Sequence, residues 1–222
     1  HYPSPAASRY EYPSSAIPGD TPRGPLGARA LPGRYTVKLT VNGKTYSEPL
    51  IIKMDPRVKT SREGLAQMFK MQLRLAAMMT EASHALAGAR SVREQLQKLN
   101  TSPDGALATA VSDFGKKLSA VLDDAGTQRS AGQAATPTLV SMNGGINTLY
   151  SEVDRADAAP TAAQHNALSE VEGVFADVMK RWRALEATDM PVLNQHLRQG
   201  NLPEVHSAAE SPREEEDADD IE

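Results

Sequence analysis

Residues 31–54 read LPGRYTVKLTVNGKTYSEPLIIKM, and this stretch decides how the first part of the chain folds. The Asn42-Gly43 pair near its centre supplies the two positive-φ residues that a tight hairpin turn needs. Both flanks alternate apolar with polar residues, which is the period of a pleated strand. The stretch therefore predicts one β-hairpin, and the parity of its side chains assigns one apolar face to Tyr35, Val37, Leu39, Val41, Tyr46, Leu50, Ile52 and Met54.

A hairpin with such a face requires a covering layer. Two strands alone are marginally stable in water, and an apolar face is stable only when other strands or a helix pack on it. We therefore expect the hairpin to be the end of a sheet whose other strands lie outside this chain. The chain is then expected to be a fragment of a longer protein.

Beyond Asp55-Pro56 the apolar period changes from two to about three and a half, which predicts a long helix over 61–99. Thr60 and Glu63 have the spacing of a capping box at its start. At 1.5 Å per residue this helix spans roughly 58 Å. Its inward positions are predicted to be Met68, Met71, Leu75, Met78, Ala82, Ala85, Ala89, Val92, Leu96 and Leu99.

Three further helices are predicted. They begin at Ser102-Pro103, at Thr136-Pro137 and near Thr161, and Pro191 is expected to kink or restart the last one before it ends at Gly200. Their inward positions are Leu107, Val111, Phe114, Leu118, Val121 and Ala125, then Leu139, Met142, Ile146, Leu149, Val153 and Ala156, and finally Leu168, Val171, Phe175, Val178, Trp182 and Leu185.

These patterns predict a mainly α fold, an antiparallel four-helix bundle with long first and last helices, preceded by the hairpin. Three regions are expected. Residues 1–56 hold an extended proline-rich segment, pinned to a surface by its tyrosines, and the hairpin. Residues 57–202 form the helical bundle, and residues 203–222 form a disordered acidic tail.

Composition excludes several classes of function. The chain has no cysteine, so thiolate chemistry and disulfides are absent. No apolar run approaches the roughly 20 residues that span a bilayer. The net charge of −4 is concentrated in the tail, where residues 210–222 hold eight carboxylates and one arginine. No cluster of basic and aromatic residues indicates a nucleic-acid partner.

The residues that could carry chemistry are predicted to have structural roles. Glu81 and His84 form a Glu-x-x-His half-motif of di-iron bundles, but they lie off the inward stripe and no second copy follows. His165 and His196 are predicted to be polar residues near helix ends. We therefore predict no catalytic, cofactor-binding or metal-binding residue. The same reasoning treats Asp123, Asp124, Glu170 and Glu172 as solvated charges, and Trp182 and the methionines Met68, Met71, Met78 and Met79 as core.

Several segments together resemble a known family. They are GPLG at 24–27, LPGRYTV at 31–37, VNGKTY at 41–46, IKMDPRV at 52–58 and DMPVLN at 189–194. This set resembles the C-terminal region of large bacterial proteins with sortilin-like β-propellers built from BNR or Asp-box repeats, often labelled glycosyl hydrolases. The resemblance implies an upstream propeller, an immunoglobulin-like sheet of which the hairpin is a remnant, and export from the cytoplasm. It transfers no catalytic residue to this chain.

Three functions follow as hypotheses. The first is a non-catalytic accessory module that gives the propeller-containing protein stability or partner contacts. The second is a contribution to a hydrolase site, for a glycan or peptide, on the upstream propeller. The third is a stand-alone helical adaptor that binds a partner helix through its methionines. Activity of the longer protein with and without residues 57–222 separates the first two, and self-association or pull-down by the isolated chain favours the third.

Overall fold

The computed structural model of the chain describes residues 1–7, 25–99, 105–122 and 136–207. The described part is mainly helical and contains one two-stranded antiparallel sheet. The strands are β1 (Gly33–Val41) and β2 (Lys44–Ile52). The helices are α1 (Arg62–Lys98), α2 (Ala106–Leu122), α3 (Leu139–Asp154), α4 (Ala162–Ala184) and α5 (Met190–Gln199). Ser102-Pro103, Ala125 and residues 208–222 of the predicted acidic tail lie outside the described residues. Residues 203–207 of that predicted tail are described, and there Val205 is buried and forms two backbone hydrogen bonds with the Asn194 side chain.

The start of α1 differs by one residue from the predicted capping box. Ser61 is the N-cap and its hydroxyl accepts a hydrogen bond from the Gly64 amide at 3.1 Å. Thr60 is not the cap, because its hydroxyl donates to the carbonyl oxygen of Asp157 at 2.6 Å. The Thr60 side chain, which the sequence pattern assigned to the helix start, therefore forms a tertiary hydrogen bond instead.

The caps of α3 and α4 show how far local sequence fixes a helix start. Thr161 caps α4 in a capping box with Gln164, at the predicted position. In α3 the cap is Thr138, paired with Ser141, and the predicted start at Thr136-Pro137 is therefore two residues early. The predicted inward position of Ala156 is wrong, because α3 ends at Asp154 and Ala156 is exposed.

Pro191 interrupts the last helix in the way the sequence predicts. A π-helical turn, Leu185–Asp189, joins α4 to α5, and the Met190 amide donates to the Leu185 carbonyl five residues earlier. Proline has no amide hydrogen to give to the preceding turn, and a widened turn absorbs that irregularity. The proline then stands in the first turn of α5, where no intrahelical donor is required.

One apolar core joins all five helices, and α1 contributes the widest buried face to it. Most predicted inward positions of α1 are buried, while Leu96 and Leu99 are partly buried. The buried face of α1 is wider than the predicted stripe because α2, α3 and α4 all contact this helix. It includes, beyond the stripe, Gly64, Leu65, Gln72, Met79, Ser83, Leu86 and Gly88.

Two extended segments, residues 1–7 and 25–30, lie across α1 and α3. The amide of Tyr2 donates to the Ala28 carbonyl at 2.8 Å, so the two segments are joined to each other. The Tyr2 ring packs on Phe69 of α1 with ring centroids 5.1 Å apart. Tyr150 of α3 donates from its hydroxyl to the Leu26 carbonyl at 2.6 Å. Tyrosine contacts thus attach this proline-rich region to the helices.

The hairpin has the turn and side-chain parity that its sequence predicts. Asn42 and Gly43 form a two-residue loop with φ of 48° and 76°. Tyr35 stands opposite Leu50, and Leu39 stands opposite Tyr46. The loop length therefore fixes the register. The register places most of the apolar side chains of both strands on one face, together with Lys44 and Glu48, whereas Ile51 lies on the other face.

Candidate interaction surface

The apolar face of the hairpin is exposed to solvent. We define the hairpin face by its strand residues Tyr35, Val37, Leu39, Val41, Tyr46, Leu50 and Ile52. Leu39 retains 59 % of its accessible surface, Tyr46 58 % and Val37 51 %. These fractions are typical of surface residues, although leucine, valine and tyrosine in a sheet usually face a core. The hairpin face is thus an apolar surface with no layer on top of it in the described chain.

The hairpin stands apart from the helices. Within the described residues, no Cα atom of β1 or β2 comes within 8 Å of a helix Cα atom. The sheet has only these two strands in the part of the chain that the structure covers. Within the described residues, neither the helices nor an additional strand therefore buries the hairpin face.

A cleft of about 730 Å³ lies between the base of the hairpin and the start of α1. Leu31, Ile52, Met54 and Leu65 contribute apolar walls, and Arg34, Lys53 and Arg62 contribute cationic side chains at the same place. The cleft borders both faces of the hairpin, because Ile52 belongs to the hairpin face and Arg34 and Ile51 belong to the opposite face. It extends the apolar surface towards the helices without closing it.

The segment between the hairpin and α1 is ordered by a local ion pair. Arg57 donates from Nη2 to Asp55 Oδ2 at 2.6 Å and from its backbone amide to Asp55 Oδ1 at 2.9 Å. These hydrogen bonds hold the pKa of the Asp55 carboxyl below its ordinary value, with the arginine side chain as the largest cause. The pair is exposed, so its effect on stability is small, but it shapes the turn that leads into the helix.

The structure places the Glu-x-x-His pair on the surface. Glu81 forms an ion pair with Arg183, and His84 is exposed. No group of three or more side chains suited to a metal ion is found in residues 1–7, 25–99, 105–122 and 136–207. The Glu81 carboxylate therefore links α1 to α4.

The other predicted candidates are dispersed. His165 is exposed near the start of α4, and His196 is half-buried in α5. Glu170 is exposed, whereas Glu172 accepts a hydrogen bond from Arg74 Nε of α1 at 2.6 Å. Asp123 and Asp124 lie outside the described residues.

Trp182 and the methionines of α1 are core residues, as predicted. Trp182 is buried on α4, and Met68, Met71, Met78 and Met79 are all buried on α1. A methionine-rich groove for a partner helix is therefore not open in this structure. The exposed apolar surface lies on the hairpin instead.

A polar cluster at the end of α3 is absent from the sequence predictions. Asp154 accepts hydrogen bonds from Gln72 Nε2 at 3.0 Å, and Arg29 Nε lies 3.3 Å from the same Asp154 oxygen. Arg29 also donates to Asp157 Oδ1 at 3.1 Å. Burial raises the pKa of Asp154, while Arg29 and Gln72 act in the opposite direction. The cluster attaches residues 25–30 to α3. In the sequence, the one signal that could have indicated this cluster is the polar Gln72 beside the apolar stripe of α1.

The helices are not suited to crossing a membrane. None of those in the described residues combines the length and the apolar character that a bilayer span requires.

Comparisons with known proteins gave no relative: no family model, curated protein or solved structure matches this chain.

Proposed function

We propose that this chain is a non-catalytic accessory module that docks through its hairpin face onto the β-structure of a larger protein. The exposed apolar face is the observation that carries the proposal. A sheet face with leucine, valine, isoleucine and tyrosine is stable in water only when a further layer covers it. The helices do not supply that layer, so the proposal assigns it to other strands.

Docking would gain transfer free energy from apolar surface that is still exposed on the hairpin face. Burying a Val, Leu or Ile side chain from full exposure gains about 1.5–3 kcal/mol. Val37, Leu39, Val41, Tyr46 and Leu50 each retain between 44 % and 59 % of their exposure. About half of the transfer energy is therefore still available at each position, which gives roughly 5 kcal/mol in total before the cost of association.

The helical part then serves as the body of the module. We propose that α1 to α5 form an antiparallel bundle, which the contacts of α1 with α2, α3 and α4 support. The family resemblance supports an upstream propeller and immunoglobulin-like strands as the docking partner, in an exported protein. The bundle would give that protein stability or a surface for further partners.

The test extends the chain by the polypeptide encoded immediately upstream of His1. Leu39→Ser should lower the free energy of unfolding by about 1–2 kcal/mol in the extended protein and have little effect in the isolated chain. Thr40→Ser, on the same strand but the opposite face, is the matched control and should change neither. Equal effects of Leu39→Ser in both proteins, or a start codon directly before His1, would contradict the proposal.

A further inference from the structure

The two edges of the hairpin differ in their ability to accept a third strand. In a hairpin with a two-residue loop, the pair that flanks the loop is hydrogen-bonded, and bonded and non-bonded pairs then alternate. The bonded pairs are thus Val41 with Lys44, Leu39 with Tyr46, Val37 with Glu48, and Tyr35 with Leu50. The intervening residues direct their backbone groups outward, away from the partner strand, and they are Arg34, Thr36, Lys38 and Thr40 of β1 and Thr45, Ser47, Pro49 and Ile51 of β2.

Pro49 closes the outer edge of β2. It stands in the middle of the outward-directed residues of that strand, opposite Thr36, and proline has no amide hydrogen to donate. Prolines at such positions keep an edge strand from pairing further. β1 has no proline in its nine residues, so its outward amides at positions 34, 36, 38 and 40 form an uninterrupted series. All four residues are exposed.

The side chains of that outer series define the chemistry of a partner. Arg34 and Lys38 project from the face opposite to the hairpin face, and the strand residues of this opposite face include no carboxylate. A strand added beside β1 would place alternate side chains next to these two cations, and opposite charges on neighbouring strands stabilise pairing. Its remaining side chains would continue the hairpin face and be apolar.

We propose that the edge of β1, which pairs with no third strand within the described residues, accepts an extended strand in which apolar residues alternate with acidic ones. This inference rests on the proposed docking function and adds to it: the partner's β-structure extends the sheet at the edge of β1 as well as covering the hairpin face, and the inference specifies which edge is used and by what kind of strand. The added strand contributes backbone hydrogen bonds to β1, carboxylates to Arg34 and Lys38, and apolar side chains to the hairpin face. The edge of β2 remains unpaired because of Pro49.

The first experiment maps the edge on the full chain. The probe is a synthetic peptide of alternating valine and glutamate, as long as the nine residues of β1. Amide hydrogen exchange, followed by NMR, should slow by about tenfold or more at positions 34, 36, 38 and 40 at saturating peptide. Exchange at Thr45, Ser47 and Ile51 should not change. Slowing on the β2 side, or on neither side, would overturn the inference.

The second experiment uses two matched proline variants. Thr36→Pro removes an outward amide from β1, and Ser47→Pro removes the corresponding kind of amide from β2, so neither removes a hydrogen bond of the hairpin itself. Peptide affinity should fall about tenfold or more in Thr36→Pro and stay within about twofold in Ser47→Pro. Equal losses would contradict the inference, and exchange mapping on the unsubstituted chain remains decisive if Thr36→Pro disturbs the hairpin.

Charge selectivity gives a third readout. Lys38→Glu should weaken binding of the glutamate peptide and strengthen binding of a valine–lysine peptide of the same length. Concentration-dependent protection of β1 without peptide would identify a second copy of the chain as the occupant and overturn the acidic partner strand. Failure of Leu39→Ser to affect the extended protein would instead count against the docking function, so the two failures are distinguishable.

Discussion

Leu39→Ala, compared with Leu75→Ala, tests whether the hairpin is energetically separate from the helices. Both substitutions remove the same atoms from a leucine. Leu75 is fully buried on α1, whereas Leu39 keeps 59 % of its accessible surface and stands opposite Tyr46 of the neighbouring strand. The pair therefore compares a core position with a position on the hairpin face.

The expected magnitudes follow from these surroundings. Leu75→Ala leaves a cavity in a packed core, which costs about 2–5 kcal/mol of unfolding free energy. Leu39→Ala removes one cross-strand contact, worth about 0.2–1 kcal/mol. Because no Cα atom of the strands lies within 8 Å of a Cα atom of a described helix, most of that loss falls on the hairpin. The free energy of unfolding of the helices should therefore change by less than about 0.5 kcal/mol in Leu39→Ala.

The assay is guanidinium denaturation of the full chain, followed by far-ultraviolet circular dichroism, which reports on the helices. Parallel transitions with equal slopes make the midpoints comparable. A loss above about 1 kcal/mol for Leu39→Ala would show that helices cover the hairpin face in solution. That result would remove the basis of the docking proposal.

Three further predictions concern how the chain is held together. Gly27→Ala should destabilise the chain by about 1–3 kcal/mol in denaturation, because a Cβ atom there would lie 1.8 Å from the Tyr2 carbonyl oxygen. Thr161→Ala should cost about 1 kcal/mol through loss of the α4 cap, whose hydroxyl accepts from the Gln164 amide. Asp154→Asn should remove the part of the loss of unfolding free energy that occurs as the pH rises above the ordinary aspartate pKa and through the raised pKa of Asp154, measured by denaturation at several pH values.

The sign of the pH effect follows from the raised pKa of Asp154. Burial favours the protonated carboxyl in the folded chain. The stabilising contribution is therefore complete below the unfolded pKa and is lost as the pH rises through the folded pKa. The unfolding free energy of the parent chain minus that of Asp154→Asn should fall as the pH rises over that range. A difference that stays constant with pH would contradict the raised pKa of Asp154.

Two control substitutions accompany the others. Gly144→Ala lies on an exposed helical position where an added Cβ atom has no neighbour within 4 Å, and it should stabilise the chain by about 1 kcal/mol. Destabilisation by this variant as large as that of Gly27→Ala would show that the steric argument is wrong. Thr109→Ala, on the exposed surface of α2, controls for loss of a helical threonine whose hydroxyl donates to the Gly105 carbonyl and accepts no amide hydrogen bond at a helix start.

The sequence predicted the features that local geometry controls. Asn42-Gly43 defined the hairpin turn, Thr161 the start of α4, and Pro191 the irregularity before α5. Each of these depends on backbone dihedrals or on hydrogen bonds within a few residues. The inward positions of α1 were also found, because the 3.6-residue period is a property of the helix itself.

Contacts between distant segments were not predictable in the same way. The Thr60 hydroxyl binds the Asp157 carbonyl instead of capping α1, and Arg29 forms an ion pair with Asp154, which is distant in sequence. The width of the buried face on α1 depends on how many other helices contact it. None of these pairs has a signature in residue spacing, since the partners are far apart along the chain.

The hairpin shows both kinds of determination. The sequence by itself fixed its turn, its register and the parity that gathers Val37 and Leu39 on one face, because a two-residue loop and a side-chain period of two leave little choice. The tertiary structure decided that, in the described part of the chain, this face stays exposed, because the helices bury their apolar residues against one another. The effect of Pro49 depends on the register. Because the register directs the backbone of residue 49 outward, the missing amide hydrogen prevents the edge of β2 from pairing with a further strand.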